Sequence, residues 1–194
     1  MFFSPYICCI LLSFFVSDLF VYYYLKSVGV SIRIICLHLF MNIVFIIFGA
    51  FKYTYLNTKQ VGLSSIGGVI GLLISVFIFT KIYKKHTSII YHVNILSLGL
   101  LYSLSKIGCF FGGCCNCILN VSMPLVESII FLILFLWLYY KKKNTCICIY
   151  SYAFVKFFLD FFRIIHPQVL SINQIVCICI IIFTFLHQQR TCHQ

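Results

Sequence analysis

The chain is poor in charge and nearly devoid of acid. Of 194 residues, 3 are Asp or Glu and 9% are charged, where a soluble domain carries about 25%. That shortage leaves too little polar surface for a water-soluble globular protein and too few charges for a disordered tail. No internal repeat is visible, which removes one argument for a transporter built from duplicated halves. The start has no basic cluster and no small-residue cleavage site, so the first apolar block reads as a membrane helix and not as a signal peptide.

What is present is apolar: 63% of the chain is hydrophobic, and mean hydropathy is +1.11. The 14 basic residues give a net charge of +11. In so apolar a chain they read as helix-end anchors and head-group contacts, and a nucleic-acid-binding domain is excluded. Most of the 12 cysteines lie inside apolar runs (Cys8, Cys9, Cys36, Cys146, Cys148, Cys177, Cys179). There a thiol acts as a small hydrophobe, so no secreted disulfide scaffold is expected. A span with its loop takes about 25–28 residues, which allows roughly seven. The expected fold is therefore all-α, a polytopic membrane protein of about seven transmembrane helices in a single domain over 1–194.

The apolar blocks cover roughly 5–25, 32–51, 62–81, 89–111, 124–140, 145–162 and 169–187. Basic residues alternate between the connections. One set holds Lys26, Arg33, Lys81, Lys84, Lys85, Lys141, Lys142, Lys143 and Arg190; the other holds Lys52, Lys59 and Arg163. The positive-inside rule places the richer set in the cytoplasm. The N-terminus is then outside, the C-terminus inside, and the segments 52–61, 112–123 and 163–168 open to the outer face.

Charge at membrane depth costs about 2.5–3.5 kcal/mol at a helix centre, which makes such residues functional candidates. The sixth block carries Tyr152, Lys156, Asp160 and Arg163, spaced to share one helical face. Asp160 is within reach of Lys156 one turn away and of Arg163 on the other side. An ion-pair staple and a basic interior site both fit this pattern. Arg163, near the outer surface, offers a planar fork that suits phosphate oxygens. Gly67 and Gly71 form a Gly-x-x-x-Gly pattern, which reads as close helix packing; with Gly62 and Gly68, it also leaves room for a lipid or exposes backbone N–H groups to an anion. The segment Ser105–Cys117 brings Lys106, Gly108, Cys109, Gly112, Gly113, Cys114, Cys115 and Cys117 together. Adjacent Cys114 and Cys115 suit zinc poorly, so no metal is expected. A redox pair remains open, and a glycine-rich helix break lining a cavity fits best.

These residues resemble the prolipoprotein diacylglyceryl transferase family, seven-helix enzymes of the bacterial inner membrane. Gly67-Gly68-Val69-Ile70-Gly71 is similar to the family's Gly-Gly-x-x-Gly span start. Ser105–Phe110 is similar to its Gly-Arg-Ile-Gly-Asn-Phe signature, and Gly113-Cys114-Cys115 to the ending of divergent members. Pro124-Leu125-Val126-Glu127, the Tyr152–Arg163 helix and Ser171-Ile172-Asn173-Gln174 resemble three further motifs, in family order. The sequence departs at Ile66, where the family has a His before its Gly-Gly. Lys106 stands for the signature Arg, Cys109 for its Asn, and the outer segment between the fourth and fifth spans is short.

The resemblance implies diacylglyceryl transfer from phosphatidylglycerol to the cysteine thiol of a lipoprotein precursor. The partners would be that lipid, the precursor peptide and membrane lipids, with no cofactor, no nucleic acid and a monomer as the default. It implies that Arg163 binds phosphate, that Lys106 is a second cation and that Asp160 orients Arg163. Lys156 would support them from one turn deeper. Gly67, Gly68 and Gly108 would shape the lipid slot, with Glu127 and Gln174 also in the substrate site. Asp160 and Glu127 are the candidate bases, His166 is a loop residue with either a solvated or a catalytic role, and Cys114 or Cys115 as enzyme nucleophile is a minor alternative. Two other readings stay open: a degenerate homologue that binds lipid or precursor without turnover, and a small Cys-dependent redox or transport protein.

Overall fold

The computed structural model describes residues 5–59, 65–113, 122–162 and 174–182. Every regular element among them is a helix: α1 (Pro5–Ser27), α2 (Ile32–Thr58), α3 (Ser65–Ile82), α4 (Thr87–Phe111), α5 (Met123–Tyr140), α6 (Thr145–Asp160) and the stretch 174–182, here α7. Cys8–Ser27, Ile32–Leu56, Thr87–Phe111 and Met123–Tyr140 are long and apolar enough to cross a bilayer, and Gly67–Ile82 is a shorter apolar helix. This is an all-α polytopic membrane protein. Its exposure pattern is the reverse of a soluble domain's. Phe15, Tyr23, Phe40, Phe48, Ile133 and Phe154 point outward, while Lys106, Glu127, Lys156, Asp160 and Gln174 are buried. In a hydrocarbon solvent this arrangement costs least, because polar side chains find partners only inside.

The helix ends follow from local chemistry. After α1, Gly29 adopts φ 84, Val30 N–H donates to Leu25 O at 3.1 Å and Gly29 N–H donates to Lys26 O at 3.0 Å. This is a Schellman stop with glycine at the left-handed position. Lys142 (φ 46) plays the same part after α5: its own N–H reaches Tyr139 O, and that of Lys143 reaches Leu138 O. Here a side chain occupies the position that favours glycine. α2 runs to Thr58, several residues beyond its apolar block. Lys52 and Thr54 lower the hydropathy there without breaking the helix. Thr54 Oγ1 returns to Ala50 O at 3.0 Å, and the helix stops where Lys59 turns left-handed and its N–H donates to Tyr55 O.

The chain forms two compact units, one of Phe14–Leu98 and one of Met1–Ser13 with Gly99–Gln194, so that α1 and α4 each contribute to both. Within the first, α2 and α3 cross backbone to backbone. A Cβ on Gly71 would strike the Phe45 carbonyl and lie 3.1 Å from Ile46 Cα. A Cβ on Gly67 would strike Gly49 O and Tyr53 Cβ. Only glycine permits this approach, which gains dispersion contacts where lipid offers no hydrophobic drive. The same unit buries a polar layer. Asn42 Nδ2 donates to Asn94 Oδ1 (2.8 Å), Ser75 Oγ donates to Asn42 Oδ1 (2.8 Å), and Asn94 Nδ2 meets His38 Nε2 (2.9 Å), with all four side chains buried.

In the second unit an aromatic column links the helices. Tyr102 of α4 packs on Phe131 of α5 with centroids 4.3 Å apart. Phe131 stacks on Tyr152 of α6 at 5.8 Å and 11°. Gly99 leaves the space that the Tyr152 phenol fills. Gly108 lies against the start of α1, where an added Cβ would meet Cys9 Cβ and Tyr6 O at 3.0 Å.

Candidate functional site

In the second unit, α4 ends, α5 begins and α6 ends with ionisable side chains one to two turns inside the helix. Lys106 is five residues before Phe111, or about 8 Å at 1.5 Å per residue. Glu127 is four residues after Met123, and Lys156 is four before Asp160. Three ion pairs join the four side chains. Lys106 Nζ lies 2.8 Å from Glu127 Oε2, Lys156 Nζ lies 3.3 Å from Glu127 Oε1, and Lys156 Nζ lies 2.5 Å from Asp160 Oδ1. Relative exposures are 4% for Lys106, 0% for Glu127, 8% for Lys156 and 2% for Asp160.

Two cations and two anions cancel. That balance is what makes burial tolerable, since an isolated ion at this depth costs several kcal/mol and a well-paired one much less. Tyr102 completes the group. Its hydroxyl donates to Glu127 Oε2 at 3.0 Å, and its ring lies under both ammoniums, 5.0 Å from Lys106 Nζ and 5.6 Å from Lys156 Nζ.

The two ammoniums differ in what they already hold. Lys156 is engaged by both carboxylates. Among the described residues, Lys106 is paired to one oxygen of Glu127 and rests on one ring. An ammonium has three N–H donors, so among these residues Lys106 keeps donors to spare. Two carboxylates beside them supply proton acceptors. The cluster thus combines two ammoniums with two carboxylates in a water-poor setting, where charge interactions are strong.

The residues expected to act together divide as follows. Lys106, Glu127, Lys156 and Asp160 form one network. Tyr152, on the same face of α6, is buried and stacks on Phe131. Gln174 opens α7, fully buried, with its amide 3.5 Å from Phe157 O. Gly108 packs on α1. Gly67 faces the α2 backbone and Gly68 faces Ile46, the packing geometry that the Gly-x-x-x-Gly pattern suggests. Arg163, His166, Cys114, Cys115 and Cys117 lie outside the described residues, as does the side chain of Ile66. The seven apolar-run cysteines are free thiols, and among the described residues no three His, Cys, Asp or Glu converge on a metal position.

Sequence reasoning missed three features. Glu127 is the hub that binds both lysines, whereas the i, i+4 rule shows only the Lys156–Asp160 half. Tyr102 entered no motif, although its place one turn before Lys106 was available as a signal. The His38, Asn42, Ser75 and Asn94 layer was also overlooked. A histidine and two asparagines inside apolar blocks were the clue, and such residues commonly bond helix to helix. Asp18, the third acid of the chain, sits half-buried in the middle of α1.

Comparison with known proteins adds an independent finding. The family model described as prolipoprotein diacylglyceryl transferase matches residues 13–188, nearly the whole chain. No curated protein matches. The match covers every helix that carries the cluster, and the chain belongs to the prolipoprotein diacylglyceryl transferase family.

Proposed function

We propose that this protein transfers diacylglyceryl from phosphatidylglycerol to the cysteine thiol of a lipoprotein precursor, in a bacterial plasma membrane, with its N-terminus outside. The observation that carries the reading is the neutral buried cluster, whose Lys106, among the described residues, still has donors for a phosphate oxygen. The thiol sulfur bonds to the glycerol carbon that bears the phosphate ester. The C–O bond breaks, its electron pair leaves with glycerol phosphate, and the thiol proton passes to a base. Thiolate is the nucleophile, so a carboxylate near the reacting centre lowers the barrier, and Glu127 and Asp160 are the bases at hand.

In this reading Lys106 and Arg163 neutralise charge on the leaving phosphate, and Lys156 supports them from deeper in the helix. Asp160 orients the cations, and Gly108 keeps the lipid slot narrow beside α1. Gly67 and Gly68 hold α3 against α2, while Glu127 and Gln174 complete the substrate site. A fixed cation facing a developing anion is worth about 10²–10³ in rate. The test is a transferase assay on the protein in phosphatidylglycerol-containing detergent with a lipobox peptide, read by intact mass. A diacylglyceryl mass gain is expected, reduced by about that factor in Arg163→Ala and in Lys106→Gln. No gain from folded, lipid-bound protein would refute it. That result would favour a second reading, lipid or precursor binding without turnover, which rests on Ile66 standing where the family has His.

A further inference from the structure

We propose that Tyr102 is a positioning residue whose ring fixes the Lys106 ammonium, beside the carboxylate-held Lys156, to meet an anionic lipid head group. The inference rests on the phosphate-binding part of the function proposed above. Both lysines touch the same two groups, the Glu127 carboxylate and the Tyr102 ring. Lys106 Nζ is 2.8 Å from Glu127 and 5.0 Å from the ring centroid. Lys156 Nζ is 3.3 Å and 5.6 Å from the same groups. The ring cannot drift, because Tyr102 is buried (9% exposed) and packed on Phe131, which is itself stacked on Tyr152. Its hydroxyl anchors Glu127 Oε2, the oxygen that also receives Lys106.

The need for such a platform follows from lysine chemistry. An ammonium is a point charge on a flexible four-carbon stem with no direction of its own, whereas a guanidinium fork is rigid and planar. A lysine that must meet a phosphate beside a second, carboxylate-held ammonium requires an external reference, and a ring face attracts cations without competing as an anion. When a phosphate draws Lys106 toward itself, the Tyr102 hydroxyl remains on Glu127 Oε2. The carboxylate is then still hydrogen-bonded and stays in place as a proton acceptor.

The experiment compares phosphatidylglycerol with phosphatidylcholine binding to the full chain by native mass spectrometry, alongside the transferase assay. Tyr102→Leu is expected to weaken phosphatidylglycerol binding about tenfold, the effect of two partly desolvated cation–π contacts. Tyr102→Phe, which keeps the ring, is expected to stay within about twofold of the parent affinity. Pentafluorophenylalanine at position 102 keeps the shape and reverses the ring's charge distribution. It serves where the leucine variant does not fold, and is expected to match the tenfold loss. In a Lys106→Arg/Lys156→Arg background, whose forks orient themselves, the effect of Tyr102→Leu is expected to shrink to less than about twofold.

Unchanged binding in Tyr102→Leu, an equal loss in Tyr102→Phe, or the same loss in the arginine background would overturn the proposal, the last by showing a purely structural role. The two readings separate cleanly. Ring-dependent binding with no transfer refutes the enzymatic function and keeps the role of Tyr102. Normal transfer with ring-independent binding does the reverse.

Discussion

Glu127 is where the buried network is most exposed to perturbation. Glu127→Gln keeps the shape of the side chain and removes the charge that both lysines share. At an effective dielectric near 20, attraction at 2.8 Å is about 6 kcal/mol and at 3.3 Å about 5 kcal/mol. Desolvation of the ions offsets much of this, so the pairs add little over an apolar core. Breaking them is a different matter. The variant leaves two buried ammoniums facing the one carboxylate of Asp160, a net charge of +1 where the parent has none. Loss of one partner from a buried pair typically costs about 3–5 kcal/mol, and that is the expected destabilisation.

Lys106→Gln/Glu127→Gln restores neutrality and leaves the Lys156–Asp160 pair intact, so it should recover more than half of the loss despite carrying two substitutions. Denaturant titration of the protein in bilayer nanodiscs of fixed composition reads both values. A Glu127→Gln variant within about 1 kcal/mol of the parent would refute the charge argument. So would a double variant less stable than the single.

Three further outcomes are expected. Gly71→Ala should cost about 1–3 kcal/mol, the usual penalty for overpacking, because its Cβ meets the Phe45 backbone, which cannot rotate away; the same titration checks it. Asn94→Leu should cost about 1–3 kcal/mol by stranding polar groups of His38 and Asn42, and a double-mutant cycle with Asn42→Leu should show strong coupling between the two sites. Lys142→Gly should stabilise the α5–α6 turn by about 1 kcal/mol, since φ 46 is costly for a side chain and free for glycine; a higher thermal midpoint with unchanged transfer activity would bear this out.

Much of the fold was legible in the sequence because a bilayer imposes few solutions. Apolar length sets the number of helices, and glycine spacing marks where two backbones can touch. The face shared by Tyr152, Lys156 and Asp160 follows from 3.6 residues per turn, and the Lys156–Asp160 pair is within one helix. Helix ends were less legible: α2 continues past Lys52 because one long cation lowers hydropathy without disturbing backbone hydrogen bonds.

Tertiary structure alone decided the partners across helices. Lys106, Glu127 and Lys156 are separated by 21 and 29 residues, and no periodicity links one helix's register to another's. Only packing shows that Glu127 serves both lysines, that Tyr102 lies beneath them and that Tyr152 turns aside to fill the space at Gly99. Likewise, His38, Asn42, Ser75 and Asn94 read singly as isolated polar residues in apolar runs. Burial away from water is what forces each to find another, and which one it finds depends on how the helices rotate against one another.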